Sequence, residues 1–202
     1  MVARPCAEET AVATLVLART PVNYRGSMPI FSRHPTLPEP VRLRLALRRG
    51  DRVLAAAPLT DDSWAVASRA ALHVAPEPAG PDATVEKHPW TDVDRASLEA
   101  ETAVLTVHLV SGRTRALTLA DPEHSLRFAQ VLRERVQSSV VHSEVVTLPA
   151  GGLVKVALRR DENGELLSQV IGDGSTNLTD PAVAALVDAA ERRVRGAAGL
   201  PG

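Results

Sequence analysis

The chain of 202 residues contains one cysteine, Cys6, so it can form neither an internal disulfide nor a thiolate zinc cluster. Aromatic residues make up only 2% of it. A core must therefore be built mainly from Val, Leu and Ala, and a surface on which nucleic-acid bases stack is disfavoured. Charge of one sign is also missing. The 23 Lys and Arg against 24 Asp and Glu leave a net charge of −1, and no global field draws in nucleic acid or an anionic bilayer. Long apolar runs are absent near the start, where "AVATLVLA" (Ala11 to Ala18) is far too short to span a bilayer. The preceding "ARPCAEET" carries glutamates where a signal peptide has a basic region. These absences lead to the expectation of a soluble, cytoplasmic protein.

What is present is globular. Hydrophobic residues reach 45%, enough to sustain a packed core. Residues 1–35 differ from the rest, since "RTPVNYRGSMPIFSRHPTLPEP" mixes Pro, Gly, Ser and Arg without a period and reads as a flexible segment. Met28 lies within it, either as the natural start after an upstream extension or as part of an ordinary tail. Pro40 suits a first helical position, with Gly50 as a stop, and a strand is expected from Arg52 to Pro58. About seven short strands are then expected between residues 52 and 120. The clearest is the β-branched run Val104 to Val110, which ends on the hairpin signal Ser111-Gly112.

A helix follows the strands. Asp121 can cap it, Pro122 fits its first turn, and Phe128, Val131, Leu132 and Val136 form its buried stripe up to Ser138-Ser139. The segment "EVVTL", "LVKVALRR" and "ELLSQVI" predicts three more strands, with "DENG" as the turn between the last two. A last helix from Asp180-Pro181 to about Arg195 carries an apolar face of Val183, Leu186, Val187, Ala190 and Val194.

Within this order, "GDRVLAAAPL", the hairpin "WAVASRAALHVA", "HPWTDVDRASLE" and the helix "PEHSLRFAQVLRERV" give residues 50–141 a resemblance to bacterial PH-like and GRAM-like domains. Residues 36–195 also resemble a family of uncharacterised proteins from high-GC actinobacteria. The resemblance implies a β-barrel or sandwich closed by a helix, and scaffolding, lipid-headgroup or protein binding. It carries over no catalytic motif, and a shared fold does not license a shared function. The expected fold class is α+β, mainly β. A PH-like unit covers residues 36–142, and a β-β-β-α extension over 143–202 packs on it.

Among candidate sites, the histidines His73, His88, His108, His124 and His142 fall on separate elements without metal-motif spacing, and read as scattered or hydrogen-bonded side chains. Asp92, Asp94, Glu99 and Glu101 read as a solvated sheet face. "GDGSTN" reads as a turn before a helix, with an anion nest as its sharper alternative. Trp90 reads as a core anchor at a strand start. The best binding candidates are Arg113 and Arg115 of the hairpin "SGRTR", joined by Arg69 and Lys87 at one mouth of a barrel.

The resulting expectation is a non-catalytic module that binds a protein partner through a sheet edge or the groove beside the closing helix, with no cofactor and no metal. One alternative is peripheral binding of anionic lipid or a phosphorylated ligand through Arg113, Arg115, Arg69 and Lys87. Another is an enzyme whose Asp, Glu or His residues are assembled by the fold, which requires a concave pocket with converging titratable groups. Nucleic acid is the least favoured partner.

Overall fold

Short strands punctuated by turns give the described residues three antiparallel sheets. The computed structural model describes residues 37–76, 83–172 and 176–201, with the side chains of residues 122 and 123 excepted. Cys6, Met28 and the centre of "GDGSTN" lie outside the described residues. The first sheet has the order β1 (Val53–Pro58), β2 (Trp64–Ser68), β3 (Ala71–Ala75) and β4 (Glu86–Pro89). The second comprises β5 (Val93–Glu99), β6 (Val104–Leu109) and β7 (Thr114–Thr118). The seven strands expected between residues 52 and 120 are present, and the fold is α+β, mainly β.

No closed barrel forms among the described residues. Strand β4 is separated from β5 by a single 3₁₀ turn, Trp90–Asp92, where a strand start is expected from sequence. At the other end the sheets meet only through an isolated bridge, Leu59 to Leu119, flanked by hydrogen bonds from Thr60 N–H to the Thr118 carbonyl and from Ala120 N–H to the Pro58 carbonyl.

The inner faces of both sheets close on the helix α2 (Pro122–Ser139). Phe128, Leu132 and Val136 of this helix are buried with Ala67, Leu72, Val93, Val107 and Leu117. Trp90 belongs to the same core and donates its ring N–H to the Ser68 and Arg69 carbonyls, each at 3.1 Å. A buried indole needs such acceptors, so Trp90 both fills the core and fastens the β2–β3 turn.

The outer face of the first sheet is covered by α1 (Glu39–Arg44), whose Val41, with the following Leu45, packs on Val66 and Ala75. This helix stops well short of Gly50. Ala46 takes a φ of 47°, a left-handed conformation that no continuing helix tolerates. At six residues the helix depends on tertiary packing for its stability.

The C-terminal segment builds its own sheet, β8 (Val140–Thr147), β9 (Leu153–Arg160) and β10 (Leu166–Ile171), in the order β10-β9-β8. Period-two alternation gives it two distinct faces. Val154, Val156 and Leu158 pack on Val183, Val187, Ala190 and Val194 of α3 (Pro181–Ala197). Asp180 caps α3 by accepting from Ala182 N–H at 2.8 Å. Leu186, expected on the apolar face of α3, remains exposed. Among the described residues no helix is long and apolar enough to cross a membrane.

The other face of β9 meets the 3₁₀ turn and β5, and the described residues fall within one compact unit. Arg159, with 0% of its surface exposed, donates to the Thr91 carbonyl at 2.9 Å and the Val93 carbonyl at 2.8 Å. Lys155 on the same face reaches Asp94 at 2.8 Å. Burial lowers the Arg159 pKa, and the Asp94 and Asp92 carboxylates oppose that effect. Truncating Arg159 would leave both carbonyls unsatisfied beside a void. Arg159→Ala is therefore expected to lower stability by about 3–5 kcal/mol in urea unfolding. Arg159→Lys should not restore it, because one ammonium lacks the planar fork that serves two carbonyls at once. A loss below about 1 kcal/mol, the range of an ordinary surface pair, would contradict this role.

Candidate functional site

The four cations expected at one mouth are not gathered about one recess. Arg113 follows the β6–β7 turn, bonds to Ser111 Oγ at 3.4 Å, and borders a recess with His88 and Asp92. Arg115, inside β7, pairs with Glu86 of β4 at 3.2 Å. Arg69 occupies the β2–β3 turn beside Arg135, which donates to the Arg69 carbonyl at 2.8 Å. Lys87 lies on β4 directly across from His73 of β3, and both border a different cavity.

The acidic group also departs from its sequence reading. Asp94 is not on a solvated face, because its side chain is largely enclosed between Lys155 and Arg95. Burial acts to raise its carboxyl, but the Lys155 hydrogen bond and charge, aided by Arg95, hold it below the usual aspartate value. Asp92 belongs to the 3₁₀ turn, and Glu99 accepts from the Thr102 hydroxyl at 2.8 Å.

A cavity of about 490 Å³ opens where α1 ends over the outer face of β3 and β4. Arg44, Arg48 and Lys87 border it, with His73 and Asp51 in its wall. Arg44 is fastened by its guanidinium to the Pro76 carbonyl at 2.5 Å and the Ala83 carbonyl at 2.6 Å. Among the described residues the Arg48 side chain reaches only Glu162, at 3.5 Å and on the surface. The Lys87 side chain has neither a hydrogen bond nor an ion pair among them.

Beneath this cavity Asp51, Ser68 and His73 form a hydrogen-bonded chain. Ser68 Oγ lies 3.0 Å from Asp51 Oδ2 and 3.3 Å from His73 Nε2. The carboxylate is the stronger acceptor and takes the hydroxyl proton. Nε2 of His73 then carries the hydrogen and donates to Ser68, while the buried Nδ1 has no partner. An activated serine needs the histidine between hydroxyl and carboxylate. Here the serine stands in the middle, is fully buried, and also accepts from the Ala70 and Ala71 N–H groups. The chain fastens the β2–β3 turn and does not activate a nucleophile. Among the described residues no three His, Cys, Asp or Glu side chains converge as a metal site requires.

A second feature is the outer edge of β10. Three sheets present six edge strands. Strands β4, β5, β7 and β8 carry charged side chains, which discourage edge pairing. Strand β1 packs against α2 and ends at the Leu59 bridge. Strand β10, "LLSQVI", has no charge, and among the described residues no backbone hydrogen bond reaches its outer side. Its Ser168 Oγ and Gln169 Oε1, on opposite faces of the strand, are buried without a partner.

Sequence reading passed over both features. Ser68 and His73 stand five apart across a two-residue turn, which places them on one face of adjoining strands and is readable as such. The lack of charge in "LLSQVI" was visible too, but the edge position of this strand was not. Comparisons with protein-family models, curated proteins and solved structures found no match.

Burial, followed by the nearby Lys87 charge, pushes the His73 pKa below its ordinary 6.5. The unfolded chain therefore takes up a proton that folded His73 refuses. Its contribution is neutral above the unfolded pKa and becomes a penalty as pH falls through it. Urea unfolding is expected to show stability declining from about pH 6.5 to 5, before the carboxylates titrate, and His73→Gln should flatten that decline. An unchanged slope in the variant would contradict the assignment.

Proposed function

We propose that this chain is a non-catalytic binding module that takes up an extended strand of a partner protein along β10. The observation that carries the reading is the contrast among the edges: of the two uncharged edge strands, β1 packs against α2, and β10 lacks both a further neighbouring strand and a covering helix among the described residues. Backbone groups on such an edge give affinity to an added strand, and side chains at alternate positions give specificity. A strand with polar side chains facing Ser168 and Gln169, and apolar ones facing the leucines and Val170, would satisfy the two unpartnered oxygens.

The order of seven strands closed by α2 supports a PH-like reading of residues 50–141, in which the first two sheets serve as a rigid scaffold. The C-terminal sheet, fastened to that scaffold through Arg159, then presents the binding edge. We place this activity in the cytoplasm, in keeping with a single cysteine in the whole chain. The four separated cations Arg113, Arg115, Arg69 and Lys87 give less support to a basic hairpin gripping anionic lipid.

The test is selection of peptides from a displayed library against the full chain, followed by hydrogen exchange of the complex. Bound peptides are expected to slow exchange at alternate amides of β10, those facing outward. Failure to recover any peptide, or protection confined to another element, would overturn the proposal.

A further inference from the structure

The cavity at the end of α1 carries a second inference, independent of the β10 edge. Its charged lining is unbalanced in a specific way. Asp51 is the only carboxylate that borders it among the described residues, and both of its oxygens are already engaged. Oδ2 accepts from Ser68, and Oδ1 accepts from the Ala70 N–H at 3.3 Å. On the other side are Lys87, without a partner among the described residues, and Arg48, held only by a long surface contact to Glu162. The third cation, Arg44, is committed to two carbonyls and so keeps the rim fixed.

The inner wall adds a second deficit. His73 is 2% exposed, and its Nδ1 is a buried acceptor with no donor. Leu45, Leu47 and Val85 supply apolar surface around these groups.

We propose that this cavity binds a small phosphate group, with Lys87 and Arg48 taking its anionic oxygens. Two cations of different reach suit an ion that carries close to two charges and several acceptor oxygens. Hydrogen phosphate also retains an O–H, the kind of donor that the His73 ring lacks. Cross-strand pairing of His73 with Lys87 puts the ring and the ammonium on one face of the sheet, so both border the same cavity. A phosphate free in solution and one in a lipid headgroup share this chemistry of recognition.

Isothermal titration of the full chain with sodium phosphate tests this. Saturable binding is expected. Lys87→Gln should weaken it about tenfold, the loss of one charge-assisted hydrogen bond, and Lys87 is exposed enough for the variant to fold. Arg113→Gln, in a different recess, should leave it unchanged. Flotation with phosphatidic acid vesicles distinguishes the source: co-flotation that depends on Lys87 assigns a headgroup, and phosphate binding without flotation assigns a soluble ligand. Absence of saturable phosphate binding, or equal binding by the Lys87→Gln variant, would overturn the proposal. Neither outcome bears on peptide binding at β10, so the two readings stand or fall separately.

Discussion

The guanidinium of Arg159 is the constraint on which the rest of this structure depends. Where the chain leaves the first sheet for the second, the 3₁₀ turn Trp90–Asp92 breaks the ladder and leaves carbonyls without strand partners. Buried carbonyls need donors, and a fork projecting from β9 supplies two of them, to Thr91 and Val93. The same solution recurs elsewhere. Trp90 serves the carbonyls of the β2–β3 turn, Arg135 of α2 joins it at Arg69, and Arg44 ties Pro76 to Ala83. Side chains distant in sequence thus satisfy turns that the sheets cannot. With so few aromatics to fill the core, such polar fastening unites three hydrophobic clusters into one body.

This arrangement gives the two proposed surfaces a common basis. The C-terminal sheet has α3 on one face and the 3₁₀ turn with β5 on the other, so its freedom lies at its edges. One edge, β8, is occupied by Glu144 clasped to Arg193 of α3, while β10 remains without charge. The phosphate cavity arises differently. Ala46 turns the chain away from the sheet after α1, and the space left behind is floored by His73 and rimmed by basic side chains. A rigid floor with basic side chains at its rim suits a recess for a small anion.

Much of the element order was legible because it rests on local patterns. Alternation in Val104 to Val110, the Ser111-Gly112 turn and the stripe of Phe128, Leu132 and Val136 all appear where sequence places them. The misreadings concern long-range partners. Asp94 looks solvated until Lys155, 61 residues later, is brought against it. Arg159 in "LVKVALRR" looks like a charged strand end, although tertiary packing buries it completely. The early end of α1 depends on the backbone of Ala46, for which alanine gives no local signal. The four candidate cations were grouped by assuming a single barrel mouth, whereas Arg69 and Lys87 belong to the first sheet and Arg113 and Arg115 to the second, about different recesses.

Native-state hydrogen exchange across a denaturant series shows whether Arg159 makes the C-terminal sheet and the first two sheets one cooperative body. The account predicts that the slowest amides of β9 share an opening free energy with those of β2 and β6, and that all converge on global unfolding. If β9 opened at a distinctly lower free energy while β2 and β6 stayed closed, the C-terminal sheet would be a separately folding attachment, and the guanidinium clamp would not hold the structure together.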